Sequence, residues 1–193
     1  MILQEKYNDY QIILASNSPR RKQFLTDLGL TFTIKPANVN EEYPSHLKGK
    51  DIALYIAKQK ASVFNNLNVN EIIITCDTIV WIDDVALGKP ENSDDAKQML
   101  QQLSGKTHKV ISAVCIKSNQ KEHLFYDITE VTFNTLNSLD IDYYVDTFKP
   151  FDKAGSYGIQ EWIGLIGIEK INGSYTNVVG MPMEKLYNEL MKW

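Results

Sequence analysis

The chain has 193 residues, 44% of them hydrophobic and 23% charged, with a formal net charge of −4. That balance suits a globular protein with a substantial core. It offers no basic excess for a broad nucleic-acid surface, and no apolar run reaches the ~20 residues that a bilayer span needs.

The opening MILQEKYNDY has no basic flank followed by an apolar core, so no signal peptide is expected. Cys76 and Cys115, the only cysteines, both lie in apolar runs. With no export signal they read as buried reduced thiols, in a cytoplasmic protein.

In chain order, Gln11–Ala15 reads as a short apolar strand and Pro19–Leu28 as a helix. Ser18 is its expected N-cap, Pro19 its first residue and Gly29 its end. Thr31–Lys35 alternates as a strand, and polar Pro36–Lys50 reads as a loop. Asp51–Asn65 is a helix with Ala53, Ile56, Ala57, Ala61 and Phe64 on one face. Glu71–Cys76 is a buried strand whose apolar signal resumes over Thr78–Ile82, and Asp83-Asp84 is a turn.

Ser93 is expected to cap a helix through Leu103. Thr107–Lys117 and Glu122–Phe133 form a hairpin over SNQK. Ser138 caps a helix to Phe148, and Pro150–Ser156 is a loop. Leu165–Ile171 is a strand, GSYTNVVGMP a glycine-rich loop, and Pro182–Trp193 a terminal helix. The order predicts one α/β domain over 1–193, with a mixed sheet that divides into two lobes.

The first chemical signal is an electrostatic misfit. Of 20 basic residues, 18 are lysines, and the two arginines, Arg20 and Arg21, stand together in the first turn of a helix. The helix dipole already places partial positive charge there. Either the pair is simply solvated, or an anion supplies what is missing. A planar fork of donors suits phosphate.

Several familiar motifs are absent. There is no GxGxxG, and Gly105-Lys106-Thr107 ends like a P-loop but has Leu100 where its first glycine belongs. His46, His108 and His123 lack zinc-ligand spacing.

What remains is a set of polar residues at the ends of apolar elements. Asp77 interrupts EIIITC and TIVWI, where an acid is costly to bury unless paired, metal-bound or in a turn. Lys60 lies beside Ala57 and Ala61, though a lysine there could snorkel. Lys89 sits in the rigid turn Gly88-Lys89-Pro90. Glu41-Glu42 are either solvated or oxygen ligands for a hard cation. Cations at a helix start plus acids that can hold Mg²⁺ or Mn²⁺ are the equipment for a polyphosphate substrate.

The ordered set SNSPRR, EE, AKQKA, DT, GKP, LSGKTH, DKAGSYGIQ and GSYTNVVGMP closely resembles the Maf family of nucleoside triphosphate pyrophosphatases, from about Ile13 to the C-terminus. The resemblance implies an elongated mixed sheet with a cleft between two lobes, related to the inosine triphosphate pyrophosphatases. It also implies a divalent metal, a cytoplasmic location, a homodimer, and hydrolysis of a nucleoside triphosphate to monophosphate and pyrophosphate.

Carried over by position, Asp77 would be the proton acceptor that activates water. Ser16, Ser18, Arg20, Arg21, Lys60 and Lys89 would bind the phosphates, and Glu42 with Asp77 the metal, Glu41 being its neighbour. Arg20, Thr78 and Gln160 match the specificity positions of the dTTP/UTP subgroup. A Gln amide both donates and accepts, which suits the O4/N3 edge of uracil or thymine.

The chain departs from the family pattern at Cys76 before the aspartate, at GMP, and at Glu161-Trp162, which adjoins the base pocket. Two alternatives stand beside this reading. One is a pyrophosphatase for non-standard purine nucleotides; the other is a nucleotide-sensing septum regulator that does not need catalysis.

Overall fold

The structure is a computed structural model and describes residues 2–193. A seven-stranded mixed sheet runs through it in the order β2-β1-β3-β5-β6-β7, with β4 paired to β3 beside that path. The strands are β1 (Gln11–Leu14), β2 (Phe32–Ile34), β3 (Glu71–Ile82), β4 (Val85–Leu87), β5 (Thr107–Lys117), β6 (Glu122–Phe133) and β7 (Ile168–Asn172). The helices are α1 (Leu3–Lys6), α2 (Pro19–Asp27), α3 (Lys50–Ser62), α4 (Ser93–Leu103), α5 (Ser138–Phe148), α6 (Trp162–Gly167), α7 (Tyr175–Val179) and α8 (Met183–Lys192).

β3 is one continuous strand of 12 residues, about 40 Å long at the usual rise per residue. Asp77 lies inside it, in register with Ala113 of β5, rather than at a break between two strands. β1 pairs with β3 in parallel, while β4 and β5 pair with it antiparallel. β5 and β6 form the expected long hairpin.

Alternation along β3 assigns its side chains to two faces. Ile79 packs with Ile52, Ala53, Ile56 and Ala57 of α3, and the Thr75 hydroxyl donates to the Ala57 carbonyl at 2.6 Å. The opposite face carries two separate cores. Ile72, Ile74 and Cys76 pack with Leu25, Leu186 and Leu190, whereas Val80 and Ile82 pack with Leu100, Leu103 and Tyr144. Leu186, Leu190, Leu100 and Leu103 are fully buried; such leucines are each worth about 2–5 kcal/mol against alanine.

Between the two cores the same face turns polar. Thr78 and Ser112 face each other at 2.9 Å, and buried Asn177 of α7 donates to Thr129 Oγ1 at 3.0 Å and to the Val110 carbonyl at 3.1 Å. This polar seam separates the two cores, and a cavity opens beside it.

Cys76 and Cys115 are both free and buried. Cross-strand register sets Cys76 against Val114 and Cys115 against Thr75, so the two thiols point to opposite faces and cannot pair with each other. Burial raises both, Cys115 to about 12, which keeps them protonated and unreactive.

Several local expectations are corrected. Asn92, not Ser93, caps α4, accepting from the Asp95 N–H at 3.0 Å. Asn137, not Ser138, caps α5, accepting from Asp140 N–H at 2.8 Å. In both cases the asparagine holds the extended backbone that a cap requires, and the serine is already helical.

Leu165 and Ile166 belong to α6, so the last strand begins only at Ile168. Leu165 is 82% exposed, and its apolar character signalled a buried strand that does not form there. The glycine-rich GSYTNVVGMP holds α7, capped by Ser174 and ended by Gly180 at φ 128°.

Candidate active site

β1 pairs with β3 only as far as Leu14↔Ile74, and β4 begins at Val80↔Leu87. Along Thr75–Ile79, that edge of β3 has no partner strand among the described residues. Open α/β sheets bind ligands where neighbouring strands leave such a gap. A cavity of about 550 Å³ occupies it.

Of the residues singled out by sequence, Ser16, Ser18, Arg20, Arg21, Lys60, Asp77, Thr78, Lys89 and Gln160 all line this cavity. Glu42 does not; its neighbour Glu41 does. Glu42 is exposed, with its backbone N–H on Asn40 Oδ1 at 3.3 Å.

The β1–α2 loop forms one wall. Ser18 caps α2, its hydroxyl accepting from the Arg21 N–H at 3.5 Å, and Ser16 Oγ accepts from the Ser18 N–H at 3.2 Å. The two arginines then take different roles. Arg20 pairs with Asp152 at 2.9 Å, across the mouth of the cleft. Arg21 turns inward to the open edge of β3. Its guanidinium donates to the Cys76 carbonyl at 2.7 Å, to the Gly180 carbonyl at 3.0 Å, to Thr78 Oγ1 at 3.2 Å and to Ser16 Oγ at 3.4 Å. Those acceptors are all neutral, and no carboxylate among the described residues bonds to it.

Asp77, Lys60 and Glu41 form an ion-paired cluster in the cavity lining. Asp77 and Lys60 are 6% and 8% exposed, and Lys60 Nζ lies 2.8 Å from Asp77 Oδ1. The same ammonium lies 2.8 Å from Glu41 Oε1. Lys60 occupies the last turn of α3, where the helix dipole favours a cation. Partial burial opposes ionisation of Glu41, but the Lys60 hydrogen bond and the charges of Lys60, Lys89 and Arg21 outweigh it and hold the carboxyl below its ordinary value. Lys89 itself is exposed and has no ion-pair partner among the described residues.

No group of three or more His, Cys, Asp or Glu side chains able to hold a metal occurs among the described residues. Glu41 and Asp77 nevertheless converge on one cation already, the Lys60 ammonium. Two carboxylates so placed would fit a hard divalent ion.

The far wall comes from 152–161. Lys153, 8% exposed, is held by Asp152 Oδ1 at 2.7 Å and Glu161 Oε1 at 3.0 Å. Desolvation pushes the Asp152 carboxyl up, yet Lys153 and Arg20 together hold it below the ordinary value. Thr78, named for specificity, has its hydroxyl engaged by Arg21, Ser112 and the Gly180 carbonyl. Gln160 is exposed at the rim. Sequence reasoning missed Asp152 and Lys153 as members of the site, although the DKAG run that holds them was part of the resemblance.

The sheet order, the gap and the cleft define a class of α/β fold. A HAM1 protein from Coxiella burnetii superposes with a TM-score of 0.51 at 13% identity, covering 95% of this chain and 100% of that one, which shows the shared fold. The family model described as Maf-like protein matches residues 11–193, and the chain belongs to the Maf family. A relative from Phocaeicola vulgatus is 54% identical over 190 residues, covering 97% of this chain and 98% of its own. One from Flavobacterium psychrophilum is 52% identical over 191 residues, covering 98% of each. Both relatives bear the name dTTP/UTP pyrophosphatase.

Proposed function

We propose that this chain hydrolyses dTTP and UTP to the monophosphate and pyrophosphate. The observation that carries the reading is the paired arrangement in the sheet gap: buried Asp77 on Lys60, opposite an Arg21 whose charge no carboxylate bond balances. The names of relatives at about half identity over nearly the whole chain support the same substrates.

The triphosphate lies along the cations. Arg20, Arg21 and Lys89 take phosphate oxygens, and the α2 N-terminus with Ser16 and Ser18 adds neutral donors. Phosphate also draws Lys60 away from its two carboxylates, which frees Asp77. Asp77 then accepts a proton from water, the water oxygen bonds to the α-phosphorus, and the bond to the pyrophosphate oxygen breaks. Negative charge grows on the leaving pyrophosphate, so the cations stabilise the transition state more than the ground state. A divalent cation, Mg²⁺ or Mn²⁺, would be held by Asp77 and Glu41 with Glu42 adjacent, and would supply charge neutralisation on the phosphates.

Gln160 reads the pyrimidine edge in this account, and Thr78 acts by holding Arg21. The buried protonated thiols and the net charge of −4 fit a cytoplasmic enzyme without a nucleic-acid partner, and the family resemblance supports a homodimer.

The test is pyrophosphate release from a panel of triphosphates with Mg²⁺ or Mn²⁺. Preference for dTTP and UTP is expected. Preference for inosine or xanthosine triphosphate would favour the purine alternative, and release from none would favour a sensor.

A further inference from the structure

The proposed reaction gives Glu161 no task. Its surroundings supply one. Gln160 sits in a tight turn that Glu161 N–H closes onto the Gly158 carbonyl at 2.9 Å. Both ends of that turn meet the same hydroxyl: Gly158 N–H donates to Tyr144 Oη at 3.0 Å, and Tyr144 Oη donates to Glu161 Oε2.

Tyr144 is fully buried on α5, and burial followed by the Glu161 hydrogen bond raises its phenol far above the ordinary value, so it remains a donor. Glu161 is fixed in turn through Lys153, Asp152 and Arg20, at 3.0, 2.7 and 2.9 Å. The packing leaves no slack at the turn. A Cβ on Gly158 would lie 2.8 Å from Glu161 Cδ and 3.0 Å from Lys153 Cε.

We infer that the Tyr144 hydroxyl and Glu161 are positioning residues that clamp the Gly158–Glu161 turn and so aim Gln160 at the pyrimidine base. The inference rests on the proposed dTTP/UTP activity. The clamp lies behind the cavity wall and touches no phosphate-binding group except through Asp152 and Arg20. Its loss therefore falls on base recognition rather than on the chemical step.

The experiment is steady-state kinetics of Tyr144→Phe on dTTP, UTP, dCTP and dGTP, with Glu161→Gln and Glu161→Ala in parallel. Tyr144→Phe deletes one oxygen and leaves the Gly158 N–H and Glu161 Oε2 without that partner, while Glu161 Oε1 keeps Lys153. It is expected to raise KM for dTTP and UTP about tenfold, with kcat within about twofold, because discrimination falls when the reading group loses its fixed geometry. KM for dCTP and dGTP should barely move. Glu161→Ala should behave alike, Glu161→Gln more mildly because its amide still reaches the phenol, and Tyr144→Phe with Glu161→Ala should be no worse than either alone.

A wild type with no preference for dTTP and UTP would overturn both the functional reading and this inference. A wild type with that preference, retained by Tyr144→Phe and Glu161→Ala, would overturn the inference alone. So would an equal change for all four nucleotides. Should Tyr144→Phe not fold, the two Glu161 variants decide by the same ratio.

Discussion

Arg21 resolves the misfit of paired arginines at a helix start, and Arg20 resolves it differently. Arg20 has an intramolecular carboxylate, Asp152, so its charge is balanced before substrate arrives. Arg21 has only carbonyls and hydroxyls, which fix its geometry without neutralising it. A half-buried guanidinium held in this way suits the anion-binding role proposed for it. The chemistry requires the fork and not merely the charge. Arg21→Lys keeps the cation but cannot span the Cys76 and Gly180 carbonyls. It should lower unfolding free energy by about 1–3 kcal/mol through the unpaired acceptors and raise KM for the triphosphate. Denaturant unfolding and initial rates check both, and unchanged stability would show that the four contacts do not hold the site.

At the scale of elements, the cleft wall depends on how β5 meets the 152–161 segment. His108 of β5 is 2% exposed, stacks on Phe133 with ring centroids 5.5 Å apart, and shares a 2.7 Å hydrogen bond between Nε2 and the Tyr157 hydroxyl. Burial lowers the imidazole from its ordinary 6.5 to about 4. The unfolded chain therefore binds a proton that the folded protein refuses. The stabilisation is complete above about pH 6.5 and is lost as pH falls toward about 4, to the extent of roughly 3 kcal/mol. The depressed carboxyls of Glu41 and Asp152 act in the same direction at lower pH, so the histidine has to be isolated by substitution. The double variant His108→Phe with Tyr157→Phe removes both polar partners together. Its unfolding free energy should fall much less than that of wild type between pH 7 and pH 4.5. Parallel slopes would contradict the assignment.

At the scale of the whole molecule, the cleft opens where β1 and β4 leave the Thr75–Ile79 edge of β3 unpartnered, beside the polar seam between two cores. Periodicity made the long strands and most helices legible, since apolar spacing follows burial. Arg20, Arg21, Lys60 and Asp77 were legible as charges set against apolar or helix-start contexts. The short α7 was not: a helix of five residues carries too little pattern, and its place comes from the contacts of Ser174 with Thr129 and of Asn177 with the Val110 carbonyl. Nor was the preference for Glu41 over Glu42 at Lys60, because adjacent residues in a loop have no periodicity to separate them. The Tyr144–Glu161 clamp joins residues 17 apart on different elements, which only tertiary structure brings together.

In the proposed reaction Asp77 is the proton acceptor, and the most direct measurement compares wild type with Asp77→Asn on dTTP. Wild type should yield dTMP and pyrophosphate in equal amounts. The isosteric amide cannot accept the proton and should cost about 10²–10⁴-fold in kcat while dTTP still binds and the protein still folds. A wild-type rate in Asp77→Asn, or release of single phosphate by the wild type, would contradict the account.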